Sequence, residues 1–265
     1  MLTNNKNLKG LVIRATDGEI GTVDQLYFDD QIWAIRYLTV DTGSWLNGRN
    51  VLISPHSILQ TDWKAGRIDV SLTRKQVENA PDIDTHRPVS RQHEAQYYGY
   101  YGYPYYWEGP YMWGPSYSPM GMVPMTASQS TIAERIRKES ADSHLRTTQA
   151  VAGYHIDAKD GDIGHVERFI VDDETWAIRY LEVATKNWWP GKKVLLSPAW
   201  DERVSWEESK VFVAVTREAI KTCPEYLDSE RITREYENKL YFHYGRPPYW
   251  IEEEKNASAF ALSDR

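Results

Sequence analysis

Seven histidines are the first residues to weigh for chemistry: His56, His86, His93, His144, His155, His165 and His243. A zinc site needs several such ligands at close spacing, as on an H-E-x-x-H helix, and no such pair is present. There is also no G-x-S-x-G elbow, no phosphate-cradling P-loop and no dinucleotide fingerprint. The single cysteine, Cys223, rules out an internal disulfide. Near Ile220 at the end of an expected helix, it reads as a small buried apolar residue rather than a reactive thiol. Two pairs of adjacent carboxylates, Asp29-Asp30 and Asp172-Asp173, could bind a cation or form a solvated hairpin turn, and the turn needs no ion. Arg36 and Arg179 fall inside expected strands, where a buried charge needs a partner. That partner is a repeated acid in an internal ion pair, or else a ligand. Trp45, Trp188 and Trp189 sit in a glycine-containing loop, as an exposed contact patch or folded back over the module. No catalytic residue, metal ligand or cofactor-binding residue is assigned, so the expectation is a non-enzymatic protein without a cofactor.

The elements that hold these residues come in two copies. Gly10 matches Gly153, Asp17-Gly18 matches Asp160-Gly161, and Ile20-Gly21 matches Ile163-Gly164. The run Trp33-Ala34-Ile35-Arg36-Tyr37-Leu38 returns unchanged as Trp176-Ala177-Ile178-Arg179-Tyr180-Leu181. Ser54-Pro55 returns as Ser197-Pro198, Thr73-Arg74 as Thr216-Arg217, and Tyr106-Trp107 as Tyr249-Trp250. Without a gap, residues 10–107 and 153–250 share 37 identities in 98 positions at an offset of 143. A repeat of this strength makes the halves copies of one module with one fold. The histidines do not follow the repeat: His165 stands for Thr22, and Ala199 for His56. A metal site built on either would exist in one half only.

Within a module the spacing predicts short strands at Leu11–Ala15, Thr22–Phe28, Trp33–Val40, Val51–Ile53, Ser57–Trp63 and Ile68–Leu72, parted by turn residues. Along the third, Trp33, Ile35, Tyr37 and Thr39 share one face, with Ala34, Arg36, Leu38 and Val40 on the other. Thr73 with Gln76 three positions on predicts a capped helix ended by Pro81; the second copy keeps Thr216 but has Ala219. A further short helix is expected after Ser90 and after Thr233. The fold class is therefore mainly β, two small barrels of about six strands, each followed by a short helix and an aromatic tail.

The expected organisation is a first module with its tail over 1–107, a Gly/Pro/Met-rich linker with a short helix at Ser130–Ser140 over 108–145, a second module over 146–250, and a flexible stretch over 251–265. Residues 97–124 hold nine of the eighteen tyrosines, five glycines and five prolines. The tail aromatics Tyr105, Tyr106, Trp107, Tyr249 and Trp250 can pack on their own module, anchor a protein interface or stack on a planar ligand. With Trp45, Trp188 and Trp189 they are the candidate partner-binding residues.

The net charge of −7 and the lack of a basic run exclude general nucleic-acid binding. The N-terminal residues are polar, with no apolar secretory core, and no stretch approaches the roughly 18 apolar residues of a membrane span. A cytoplasmic location is the expectation.

The pattern D-G-x-I-G-x-V, then D-D-x-x-W-A-I-R-Y-L-x-V, then W-W-P-G-K-K-V-L-L-S-P resembles the PRC-barrel family. It runs through Asp160–Val166, Asp172–Val183 and Trp188–Pro198, and through Asp17–Val23, Asp29–Val40 and Trp45–Pro55. The family takes in the cytoplasmic domain of the photosynthetic reaction-centre H subunit and the C-terminal domain of a bacterial 16S rRNA maturation factor. The resemblance implies a strongly bent small β-barrel and a bacterial adaptor that binds a protein partner, with a homodimer left open. Two alternatives stand beside it. One is an accessory protein peripherally attached to a photosynthetic or respiratory membrane complex, and the other is a small-molecule or ion sensor.

Overall fold

The computed structural model describes residues 1–81, 89–120, 144–185, 192–251 and 253. Trp188, Trp189, the helix expected at Ser130–Ser140 and almost all of 251–265 lie outside the described residues.

Leu2–Asn4 (β1) leads into one helical turn, Asn5–Leu8 (α1). The first repeat then supplies Val12–Ala15 (β2), Gly18–Asp29 (β3), Ala34–Asp41 (β4), Asn50–Ile53 (β5), Ile58–Asp62 (β6) and Arg67–Val70 (β7), followed by helices Arg74–Glu78 (α2) and Arg91–Tyr101 (α3). The second copy opens with Leu145–Thr147 (β8) and Thr148–Val151 (α4). It continues with His155–Ala158 (β9), Gly161–Asp172 (β10), Ile178–Ala184 (β11), Lys193–Leu196 (β12), Asp201–Ser205 (β13), Lys210–Val213 (β14), Arg217–Thr222 (α5) and Arg234–Tyr244 (α6). The expected second strand is longer than its apolar run, because the glycine turn at Gly18 starts the pairing directly.

The fold is mainly β, with two seven-stranded sheets. Their orders are β5-β4-β3-β2-β7-β6, with β8 also on β3, and β12-β11-β10-β9-β14-β13, with β1 also on β10. Each sheet path has two ends; the β2–β7 and β9–β14 pairs are parallel and their sheet neighbours antiparallel. Register shifts at Val23/Gln25 and Tyr27/Phe28 bend β3, since an extra residue on one strand locally raises twist.

Several repeated residues have local structural duties. A Cβ on Gly21 would collide with the Asp41 carbonyl, and one on Gly164 with the Ala184 carbonyl. Asp17 Oδ1 accepts from Arg74 N at 2.7 Å, and Asp160 Oδ1 from Arg217 N at 2.7 Å, so the turn aspartate ties its hairpin to α2 or α5. Thr73 and Gln76 form the expected capping box, whereas Thr216 caps alone.

The compact units do not follow the repeat. One comprises Met1–Ala152 with Arg168–Tyr180, the other Gly153–Glu167 with Leu181–Arg265. Within the first unit the arms that precede the repeats are exchanged. β1 pairs antiparallel with β10 (Leu2 opposite Asp172), and β8 with β3 (Leu145 opposite Asp29). Leu2 and Leu145, the caps Asn4 and Thr147, and the buried Leu8 and Val151 all keep the offset of 143. Between them, Ala34 bridges Ala177, Ile35 N donates to Trp176 O at 2.8 Å, and Ile178 N to Trp33 O at 2.7 Å. Along β4, Ala34 through Val40 are all buried, so the strand is covered on both faces.

Candidate functional site

The carboxylate pairs divide their work. Asp29, the first acid, lies with Oδ2 4.0 Å from Arg36, and Asp172 with Oδ2 3.1 Å from Arg179. Both strand arginines thus face the repeated acid. The second acid receives the exchanged arm: Asp30 N donates to His144 O at 2.9 Å, and Asp173 N to Met1 O at 3.1 Å. The Asp30 carboxylate also pairs with Arg146 at 3.2 Å. The turn reading of the two pairs therefore extends to an ionic role in joining the arms. Burial pushes the Asp172 carboxyl up, but Arg179, Thr175 Oγ1 and the Glu174 amide outweigh it and hold the carboxyl below its usual range.

Arg36 is fully buried. It lies among side chains from β4, α3 and the segment after the helix. Glu94, on α3, is the centre of this group. Tyr106 Oη donates to Glu94 Oε1 at 2.6 Å, Tyr37 Oη donates to it at 3.1 Å, and Arg91 Nη1 lies 3.1 Å from Oε2. Burial, the largest influence, lifts the Glu94 carboxyl to about 7 against the pull of Arg91 and both hydroxyls. Burial likewise raises the phenols of Tyr37, Tyr97 and Tyr106 well above their ordinary value.

His56 closes the other side. Its Nδ1 lies 3.0 Å from Pro119 O, and its ring is 5.2 Å from Tyr103 and 4.9 Å from Trp113, between centroids. Burial, with a lesser push from the Arg36 charge, lowers the imidazole to about 4 despite the Pro119 bond. Residues 113–119 therefore pack into this unit: Trp113 is fully buried, its Nε1 donates to Thr175 O at 2.8 Å, and Ser118 Oγ donates to Glu174 O at 3.2 Å.

Part of this arrangement recurs in the other unit. Arg234 Nη1 lies 3.0 Å from Glu237 Oε2, Tyr249 Oη donates to Glu237 Oε1 at 3.1 Å, and Arg234 Cζ stands 3.9 Å from the Trp250 ring centroid. The matching Arg91–Trp107 distance is 4.4 Å. The R-x-x-E pair on the second helix thus ties each helix to its Tyr-Trp tail.

The sequence-derived partner residues are distributed unevenly. Tyr105 and Tyr106 are 2% and 3% exposed within the first unit. Trp107 is half-buried, stacked on Tyr105 at 4.7 Å, and Trp45 is half-buried under Arg74 at 4.4 Å. Tyr249 and Trp250 are half-buried beside Arg234. Arg91, Glu94 and Trp113 were not singled out by sequence reasoning, and His56 was weighed only as a metal ligand. The identity of Arg91 and Glu94 with Arg234 and Glu237 at the repeat offset was the available signal for the first two. Comparison of the chain with protein-family models finds no match, and comparison with curated proteins finds none.

Proposed function

We propose that the chain is a non-enzymatic adaptor or scaffold, built from two PRC-type barrels, that binds a protein partner. The observation that carries this reading is Phe242, 89% exposed on α6. Its neighbours on the helix, Leu240 and Tyr241, are buried, while its own ring faces solvent. The first repeat has Gly99 at this position, so the shared architecture does not call for an aromatic there. An aromatic added to one copy and left in water is the kind of side chain that anchors an interface.

Cross-linking mass spectrometry in cells, on the full chain and on Phe242→Ser, tests the proposal. A specific protein recovered with the native chain and lost with the variant is the expected result. Recovery of no specific partner with the native chain overturns it.

A further inference from the structure

The first repeat buries a guanidinium with no hydrogen bond among the described residues and an imidazole nitrogen with none, where its twin has a bonded Nη2 and an alanine. None of Nε, Nη1 and Nη2 of Arg36 has a hydrogen-bond partner among the described residues. Its Cζ stands 3.7 Å from the Tyr106 ring centroid and 4.6 Å from that of Trp113; the rings balance charge but accept no N–H fork. Asp29, at 4.0 Å, is beyond hydrogen-bond reach. Arg179 differs in that its Nη2 donates at 3.1 Å to Asp172 Oδ2 and at 3.1 Å to Thr175 Oγ1. The residue at the Thr175 position of the first repeat is Ile32 (175 − 143 = 32), which has no acceptor.

The second group is His56, whose ring lies against the same Trp113 as Arg36. Pro119 O can only accept, so Nδ1 carries the proton and Nε2 presents a lone pair. That Nε2 is buried and has no partner among the described residues. Ala199 holds this position in the second repeat, so the pairing of a bare guanidinium with a bare imidazole acceptor belongs to one copy alone. Leaving both unmet in a dry interior carries a large desolvation cost.

A species that meets both must accept from a planar fork and donate one hydrogen bond. A negative charge suits it, since Arg36 and Arg91 stand there against Asp29 and a Glu94 carboxyl that burial keeps largely protonated below neutrality. Chloride and nitrate accept but do not donate; water donates but carries no charge. We propose that Arg36 and His56 form a binding site for a small planar oxyanion that bears one hydroxyl, of the hydrogencarbonate class. Two of its oxygens meet the guanidinium edge, and its O–H donates to His56 Nε2. This site is separate from the partner surface at Phe242.

The test is the thermal unfolding midpoint of the full chain in sodium hydrogencarbonate, nitrate and chloride, at one pH and equal ionic strength. A ligand bound only by the folded state raises that midpoint with concentration. Hydrogencarbonate raises it more than the other two salts. Ile32→Thr, at a position 43% exposed, offers Arg36 the hydroxyl that Arg179 already has and removes the excess. His56→Ala, which copies the second repeat, lowers the response to that of nitrate. Broadening of the 13C resonance of labelled hydrogencarbonate by the native chain but not by Ile32→Thr reads the same site without heating, and decides the matter if His56→Ala fails to fold. Equal shifts in all three salts, or an undiminished excess in either folded variant, overturn the proposal.

Discussion

Glu94 and His56 make the folded chain respond to pH in opposite senses. Glu94 loses its proton near 4.5 when unfolded but only at about 7 when folded, so its contribution is fully present below 4.5 and fades as pH rises through about 7. His56 is the reverse: its imidazole titrates near 6.5 unfolded and about 4 folded, so its contribution is complete above 6.5 and is lost as pH falls through about 4. At ~1.4 kcal/mol per unit, each spans about 3 kcal/mol, and between pH 4.5 and 6.5 they largely cancel. Glu94→Gln, which keeps an acceptor for Tyr37 and Tyr106, removes one side of this balance. Urea unfolding of that variant should show stability rising by about 3 kcal/mol from pH 4 to 6.5, while the native chain stays nearly level and then declines above 6.5. A variant whose profile overlays the native one would show that Glu94 is ionised throughout.

At the scale of elements, β3 and β4 cross so closely at Gly21 that only a residue without a side chain fits beneath the Asp41 carbonyl. Gly21→Ala must push the strands apart, and overpacking of this kind costs about 3 kcal/mol. Gly164→Ala should cost as much, because Ala184 O stands in the same relation to it. By contrast, Gly99→Ala on α3 meets open space and should stabilise slightly, as alanine favours helix over glycine. Denaturation midpoints of the three variants check the ranking. The strand positions were legible from alternating apolar runs and glycine turns, and α2 from Thr73 and Gln76. The arms were not: three residues of strand and one helical turn are too short for periodicity to register, and Leu2 matching Leu145 is one identity in a polar stretch.

At the scale of the whole molecule, the exchanged arms join the two halves of the chain without relying on the connection between them. A protease site inserted within residues 121–143 and cut after folding should therefore leave two fragments that co-elute in native size-exclusion chromatography and separate only in denaturant. Fragments that part under native conditions would show that the β1–β10 and β8–β3 pairs do not hold alone.

The sequence by itself determined the duplication, the β character and most strand positions. These follow from local periodicity, turn chemistry and a gapless internal match, all of which are written along the chain. Tertiary structure decided that each arm joins the other copy's hairpin, that Tyr105 and Tyr106 lie inside and Phe242 outside, and that His56, Glu94 and Arg36 converge around Trp113. Those outcomes depend on contacts between residues tens to more than a hundred positions apart. Burial and desolvation there arise only once the chain has closed on itself.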